Sequence, residues 1–218
     1  MNTRSLADLK TTILDQVDMS DSSFIDSTQL TYWINAELSE LHSLLVTTFE
    51  DYFITRYDFD LDGSDKYDLP EDFLKLHKVF LLQGSTRYRI HRFSMNDMVG
   101  DISYNTGNEN LKYRVMDKYI YFDPTPNASG EIQLFYIPQL TQLSADEDRI
   151  AFNIPVGWED FVVNGVAARC LAKEESDPSY FLQCKAQLKA DIVATADDRD
   201  TAEPHVWQDH YRRFEDDY

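Results

Sequence analysis

The stretch GWEDFVVNGVAARCLAKEE, residues 157–175, has the spacing of a long helix, yet its apolar residues cover far more than half of the circumference. Trp158, Phe161, Val162, Gly165, Ala168 and Ala172 fall on one side, while Val163, Val166 and Cys170 carry the apolar arc well around. Such a helix needs neighbours on two sides. Gly165, Ala168 and Ala172 would let another helix approach closely, so 157–175 is expected to be the central helix of a four-helix layer. Some of its neighbours are expected to come from another subunit.

The other helices of that layer are visible at both ends of the chain. Leu6, Leu9, Ile13 and Val17 recur at spacings of three and four behind Ser5 and Asp8, which suit the cap and the first-turn acid. After DMSDSS, Asp26 can cap a longer helix whose stripe is Leu30, Trp33, Ile34, Leu38, Leu41, Leu44 and Leu45. These two segments look like an antiparallel pair. Near the other end, Pro178 suits a first helical position, and Phe181, Cys184, Leu188 and Ile192 form the stripe that follows.

Between the helical ends the period changes to two. Phe53, Thr55, Tyr57, Phe59 and Leu61 alternate with Ile54, Arg56, Asp58 and Asp60, the pattern of a strand with one face toward a core. DGSD turns the chain, PEDFLK predicts a short helical turn, and LHKVFLLQ and TRYRIHRF read as strands joined at GS. Ser94 can cap a brief helix, MNDMVGDI, and SYNTGNEN reads as a loop. LKYRVM, DKYIYFDP and EIQLFYIPQ are three more strands, turning at Asp117-Lys118 and around NASG.

The sum is an α+β protein: about four helices from the N- and C-terminal segments, packed with a central antiparallel β-sandwich or small barrel. The expected organisation is a discontinuous helical domain, 1–50 and 156–196, a β-rich domain, 51–155, and a C-terminal docking tail, 197–218.

Two polar residues interrupt the stripes. Glu37 falls inside the apolar arc of the second helix and Arg169 inside that of the central helix, and either would be costly to bury alone. If the two helices pack, a Glu37–Arg169 ion pair solves both problems. The alternative is that each lies at a helix end or edge and reaches water.

Charge narrows the function classes. Against 39 acidic residues stand only 20 basic ones, a net charge of −19, so binding nucleic acid by neutralising phosphates is not expected. No apolar run is long enough to span a bilayer, and MNTRSLADLK has no stretch suited to a signal peptide, so a soluble chain with no membrane partner is expected. Cys170 and Cys184 fall on apolar sides of helices without ligand spacing and read as reduced core residues.

Motifs for chemistry are weak. Asp58, Asp60, Asp62 and Gly63 fit the opening of a calcium loop, but position twelve is Leu69 where a bidentate Glu is needed, and the flanks read as strands. An acidic strand edge leading into a hairpin fits better. His42, His77, His91, His205 and His210 show no zinc or nucleophile pattern, and no phosphate loop or nucleophile elbow occurs. No enzyme activity, metal or cofactor is expected. In EPHVWQDHYRRFEDDY, Trp207, Tyr211, Phe214 and Tyr218 recur at four, three and four, an aromatic stripe suited to docking into a groove of another chain. ADDRDTAE before it resembles a flexible linker. The stripe could instead fold back on its own helical layer.

Four segments in order, DSTQLTYWINAELSEL, YDLPEDFLKLHKVFLL, IQLFYIPQLTQLS and IPVGWEDFVVNGVAARCLAKEESD, make residues 5–195 resemble the head-to-tail adaptors of tailed bacteriophages, the tail tubular protein A type. YIPQL departs from a cleaner Tyr-x-Pro signature, and the long acidic C-terminus lies outside the pattern. The resemblance implies a virion protein forming a ring, expected to be dodecameric. Such a ring sits beneath the portal protein, carries a tail nozzle or tail tube protein, and extends the DNA channel. By position it would place Trp207, Tyr211, Phe214 and Tyr218 on the portal. An acidic conduit would avoid adsorbing the DNA that passes through it. A small acidic DNA mimic that blocks a host DNA-binding protein is the competing class, and would need acids at phosphate-like spacing on one face. A hydrolase using unrecognised carboxylates would need a deep pocket with shifted acid pKa values.

Overall fold

The structure, a computed structural model, describes residues 4–19, 24–95, 108–151, 154–155 and 157–197. Most of the brief helix expected after Ser94 and the whole aromatic stripe lie outside the described residues. The order of elements is helices, strands, helices. Among the described residues, helix α1 is Leu6–Gln16 and α2 is Ser27–Thr48, eight strands follow, and then come α3, Glu159–Lys173, and α4, Ser179–Asp197.

Local chemistry starts the first two helices. Ser5 Oγ accepts from the Asp8 N–H at 3.2 Å while Asp8 Oδ2 accepts from the Ser5 N–H at 3.0 Å, a complete capping box. Asp26 accepts from the Gln29 N–H at 2.7 Å and caps α2. The stripes then bury: Leu6, Leu9 and Ile13 of α1 and Leu30, Ile34, Leu38, Leu41 and Leu45 of α2 enter one core. Val17, read as part of the α1 stripe, stands just past its last turn.

Helix α3 lies inside that core. Phe161, Val162, Val163, Val166, Ala167 and Cys170 are completely buried, and α1, α2 and α4 all pack on it. The expectation that a neighbouring subunit covers its surplus apolar surface is therefore corrected: α1 supplies the third side within the same chain. Ala172, near the end of the helix, is exposed. Burial also pushes the Cys170 thiol up to about 11. Cys184 is only partly buried.

A strap joins the helices to the strands. Leu143 N–H and carbonyl both bond the Asn35 side chain, at 2.9 Å each, and Leu6 N–H reaches the Asp148 carbonyl at 2.8 Å. Leu140, Leu143, Ile150 and Ile154 pack with the helical core. At the other junction a single 3-10 turn, Glu50–Phe53, follows α2, so Phe53 stands outside the strand that the alternation had assigned to it.

The strands make two four-stranded sheets with a second core between them, which selects a sandwich over a barrel. One sheet has the order β1 (Thr55–Asp60), β8 (Glu131–Pro138), β3 (Phe73–Gln83), β4 (Thr86–Arg89). The other has β2 (Lys66–Asp68), β7 (Tyr119–Asp123), β6 (Lys112–Met116), β5 (His91–Arg92). All pairs are antiparallel except β5 with β6, which is parallel. Three sequence-based expectations change here. PEDFLK is a single turn, closed by Phe73 N–H to Pro70 carbonyl at 3.0 Å, that runs straight into β3. The short strand β2 was not foreseen, because three residues carry no legible alternation. TRYRIHRF is two strands, since buried Ile90 carries the chain from one sheet to the other.

Ser5→Ala removes one half of the capping box and should lower stability by about 1 kcal/mol, read as a lower urea midpoint at unchanged slope. The box holds the Asp8 carboxyl below the ordinary carboxylate value, chiefly through its bond with Ser5. Its contribution is complete above that ordinary value and is lost as pH falls through the depressed one, so the variant should show a shallower acid-side loss.

Candidate functional site

The polar centre of the helical layer is Glu37, 2% exposed in the middle of α2. A carboxylate so deep requires charge partners and bonds for both oxygens. Arg169 Nε of α3 donates to Oε1 at 2.8 Å, and Lys185 Nζ of α4 donates to Oε2 at 2.6 Å. Lys185 also reaches the half-exposed Glu40 at 2.7 Å, and its ammonium stands 4.6 Å from the centre of the Phe161 ring. Two carboxylates and two cations thus join three helices with no net charge.

Gly165 makes room for this. A Cβ built at that position would run into the Glu37 carboxylate, so the small residue admits a charged side chain here. The sequence had suggested a helix backbone as the close neighbour. Above Gly165, Ala168 and Ala172, the space between α2 and α4 is a groove of about 290 Å³, bordered by Glu40, Arg169, Leu182 and Lys185. The Arg169 side chain is 42% exposed at its rim, and Leu182 is 51% exposed.

Sequence reasoning singled out Glu37 and Arg169, and the structure brings them together. It missed Lys185 and Glu40. The available signal was Lys185 itself, a cation three residues after Leu182 and one after Cys184 on a helix already assigned to the layer. A second clip was also missed: Arg4 donates to the buried Glu159 carboxylate from its backbone N–H at 3.0 Å and to Asp160 from its guanidinium at 3.1 Å. It anchors the segment that leads into α1 on the first turn of α3, where acids meet the positive helix end.

Elsewhere the acids of the suspected calcium loop serve the turn. Asp62 Oδ1 accepts from the Ser64 N–H at 2.9 Å and from the Tyr67 hydroxyl at 2.8 Å, and Asp58 pairs with Arg56 at 2.8 Å. Among the described residues no three His, Cys, Asp or Glu side chains gather as a metal group, and no helix is long and apolar enough to cross a membrane. Trp207, Tyr211, Phe214 and Tyr218 lie outside the described residues. The arrangement at Glu37 can lock helices together; it contains no nucleophile beside a base.

A protein-family model described as SU10 adaptor protein matches residues 4–208. Trp207 is inside the matched span, and Tyr211, Phe214 and Tyr218 are beyond it. No match was found among curated proteins.

Glu37→Gln should destabilise the fold by about 2 kcal/mol, less than for a fully buried pair because Arg169 reaches water. Gly165→Ala should also destabilise it, and combined with Glu37→Ala the loss should be smaller than the sum, with a coupling of about 0.5–3 kcal/mol in a double-mutant denaturation cycle.

Proposed function

The chain belongs to the SU10 adaptor protein family, a family of bacteriophage head-to-tail adaptors, and from that premise we propose that its copies form a ring between portal and tail. The ring is a dodecamer, its channel continues that of the portal, and its far face receives a tail nozzle or tail tube protein. The family match over residues 4–208 is the observation that carries this. Phage DNA passes through without specific binding, in keeping with the net charge of −19. The protein works as a structural part of the virion, without catalysis.

Portal attachment is assigned to the C-terminal tail, residues 197–218, through Trp207, Tyr211, Phe214 and Tyr218. A stripe of four aromatics at helical spacing offers large contact area at small entropy loss, the composition of a hot-spot segment. The described helical layer, its charges internally paired at Glu37, supplies a rigid base from which such a tail can reach. The helical domain, 1–50 and 156–196, and the β-rich domain, 51–155, are the two working parts of each copy.

The test is mass measurement with and without purified portal, for the whole chain and for a chain lacking residues 198–218. The whole chain should join portal in a multiple-copy complex. The shortened chain should keep its helical circular dichroism and lose portal binding; unchanged binding would refute the tail assignment.

A further inference from the structure

The charge of this chain is strongly segregated within the sandwich. From Phe73 to Asn96 there is no acidic residue, while Lys75, Lys78, Arg87, Arg89 and Arg92 are all cationic. From Asp58 to Asp72 the balance is reversed: Asp58, Asp60, Asp62, Asp65, Asp68, Glu71 and Asp72 face only Lys66. For a chain so acidic overall, an acid-free segment of this length is the exception that calls for a use.

The topology puts the end of the first segment and most of the second on opposite edges, while β3, which carries Lys75 and Lys78, lies inside its sheet. In one sheet β1 and β4 are the two outer strands, and in the other β2 and β5 are. Strands β4 and β5 are separated by Ile90 alone, so they share one side of the sandwich. Strands β1 and β2 share the other, where the Phe59 and Tyr67 rings meet at 5.0 Å between centres. One edge is therefore basic and the other acidic.

The charges on both edges are available. Every residue of β4 and β5 is exposed. Among the described residues, Arg87, Arg89 and Arg92 have no carboxylate partner; Arg87 lies over the Phe80 ring, 5.6 Å from its centre. Between the sheets on this side runs a groove of about 330 Å³ bordered by Leu74, Lys75, Arg92 and Tyr113. Opposite, Asp60, Asp65 and Asp68 are exposed and have no side-chain partner among the described residues.

We propose that the basic β4–β5 edge of one copy docks on the acidic β1–β2 edge of the next, making the lateral contact of the ring. It presupposes the ring proposed above and assigns the surfaces that build it. Two different, complementary patches on one chain give a head-to-tail contact, which closes into a ring when the rotation allows and cannot make an isolated two-fold dimer from the same patches. Single exposed ion pairs contribute little, but arrays of opposite sign set register and speed encounter. The same charges also turn away the wrong pairing, since two acidic or two basic edges repel. The buried state of α3 removes that helix's apolar surplus as a reason for assembly, and the charged edges supply another.

The experiment uses the full chain with portal and measures assembled mass by sedimentation. Two triple variants are compared with the natural chain: R87E/R89E/R92E, which makes both edges acidic, and D60K/D65K/D68K, which makes both basic. Each should lose about tenfold or more in assembly constant while keeping its circular dichroism, and a 1:1 mixture should recover assembly with alternating copies. Recovery on mixing also shows that both variants are folded. Assembly of the natural chain should weaken as salt rises. If both variants assemble as the natural chain does, the edge assignment is wrong and the ring stands. If the natural chain never assembles, even on portal, the ring falls and this contact with it. If the arginine variant assembles normally but loses binding to a short DNA duplex that the natural chain retains, the basic edge serves phosphate and the proposal is overturned.

Discussion

The helical layer depends on burying one carboxylate. Glu37 would be among the most destabilising residues in the molecule if it stood alone in the α2 stripe, and three conditions remove that penalty together. Gly165 leaves the space, Arg169 takes one oxygen, and Lys185 takes the other. Because the partners come from α3 and α4, the bond network sets the register of three helices in a way that apolar packing alone does not. The surrounding apolar residues are interchangeable to a degree; two oxygens with two directed donors are not.

Around that centre, bonds along the strap tie the described strand-rich region to the helices. Both ends of the strand-rich region return to the helices. Asn35 grips the strap at Leu143 with both of its polar atoms, and the start of α1 bonds the carbonyls of Asp146 and Asp148. Asp148 in turn accepts from the Ser144 and Ala145 N–H groups, at 2.7 and 2.8 Å. These bonds hold its carboxyl below the ordinary range, so the strap keeps its shape through a charged acceptor.

Much of this was legible in the chain itself where the cause is local. Capping by Ser5, Asp8 and Asp26, the stripes of the four helices, and the alternation of most strands depend on residues within a few positions of one another. The match to an adaptor family likewise follows the order of segments that suggested it. Misreadings fall where local signal is ambiguous. PEDFLK carries helix formers around a proline, yet Phe73 and Leu74 join a long strand because β8 offers a partner. TRYRIHRF keeps a strand's composition across Ile90 and so hides the point at which it changes sheets.

By itself the sequence determined the helix stripes, their caps, the acidic balance and the two polar residues that had to be reconciled inside the layer. Each of these is a property of spacing or of composition. Only the tertiary structure decided that α1 covers the third side of α3, that Lys185 completes the Glu37 network, and that acidic and basic strands end on opposite edges. Those outcomes join residues far apart in the chain. Their free energy comes from packing and charge pairing that exist once the segments meet, and no local periodicity records which segments will meet.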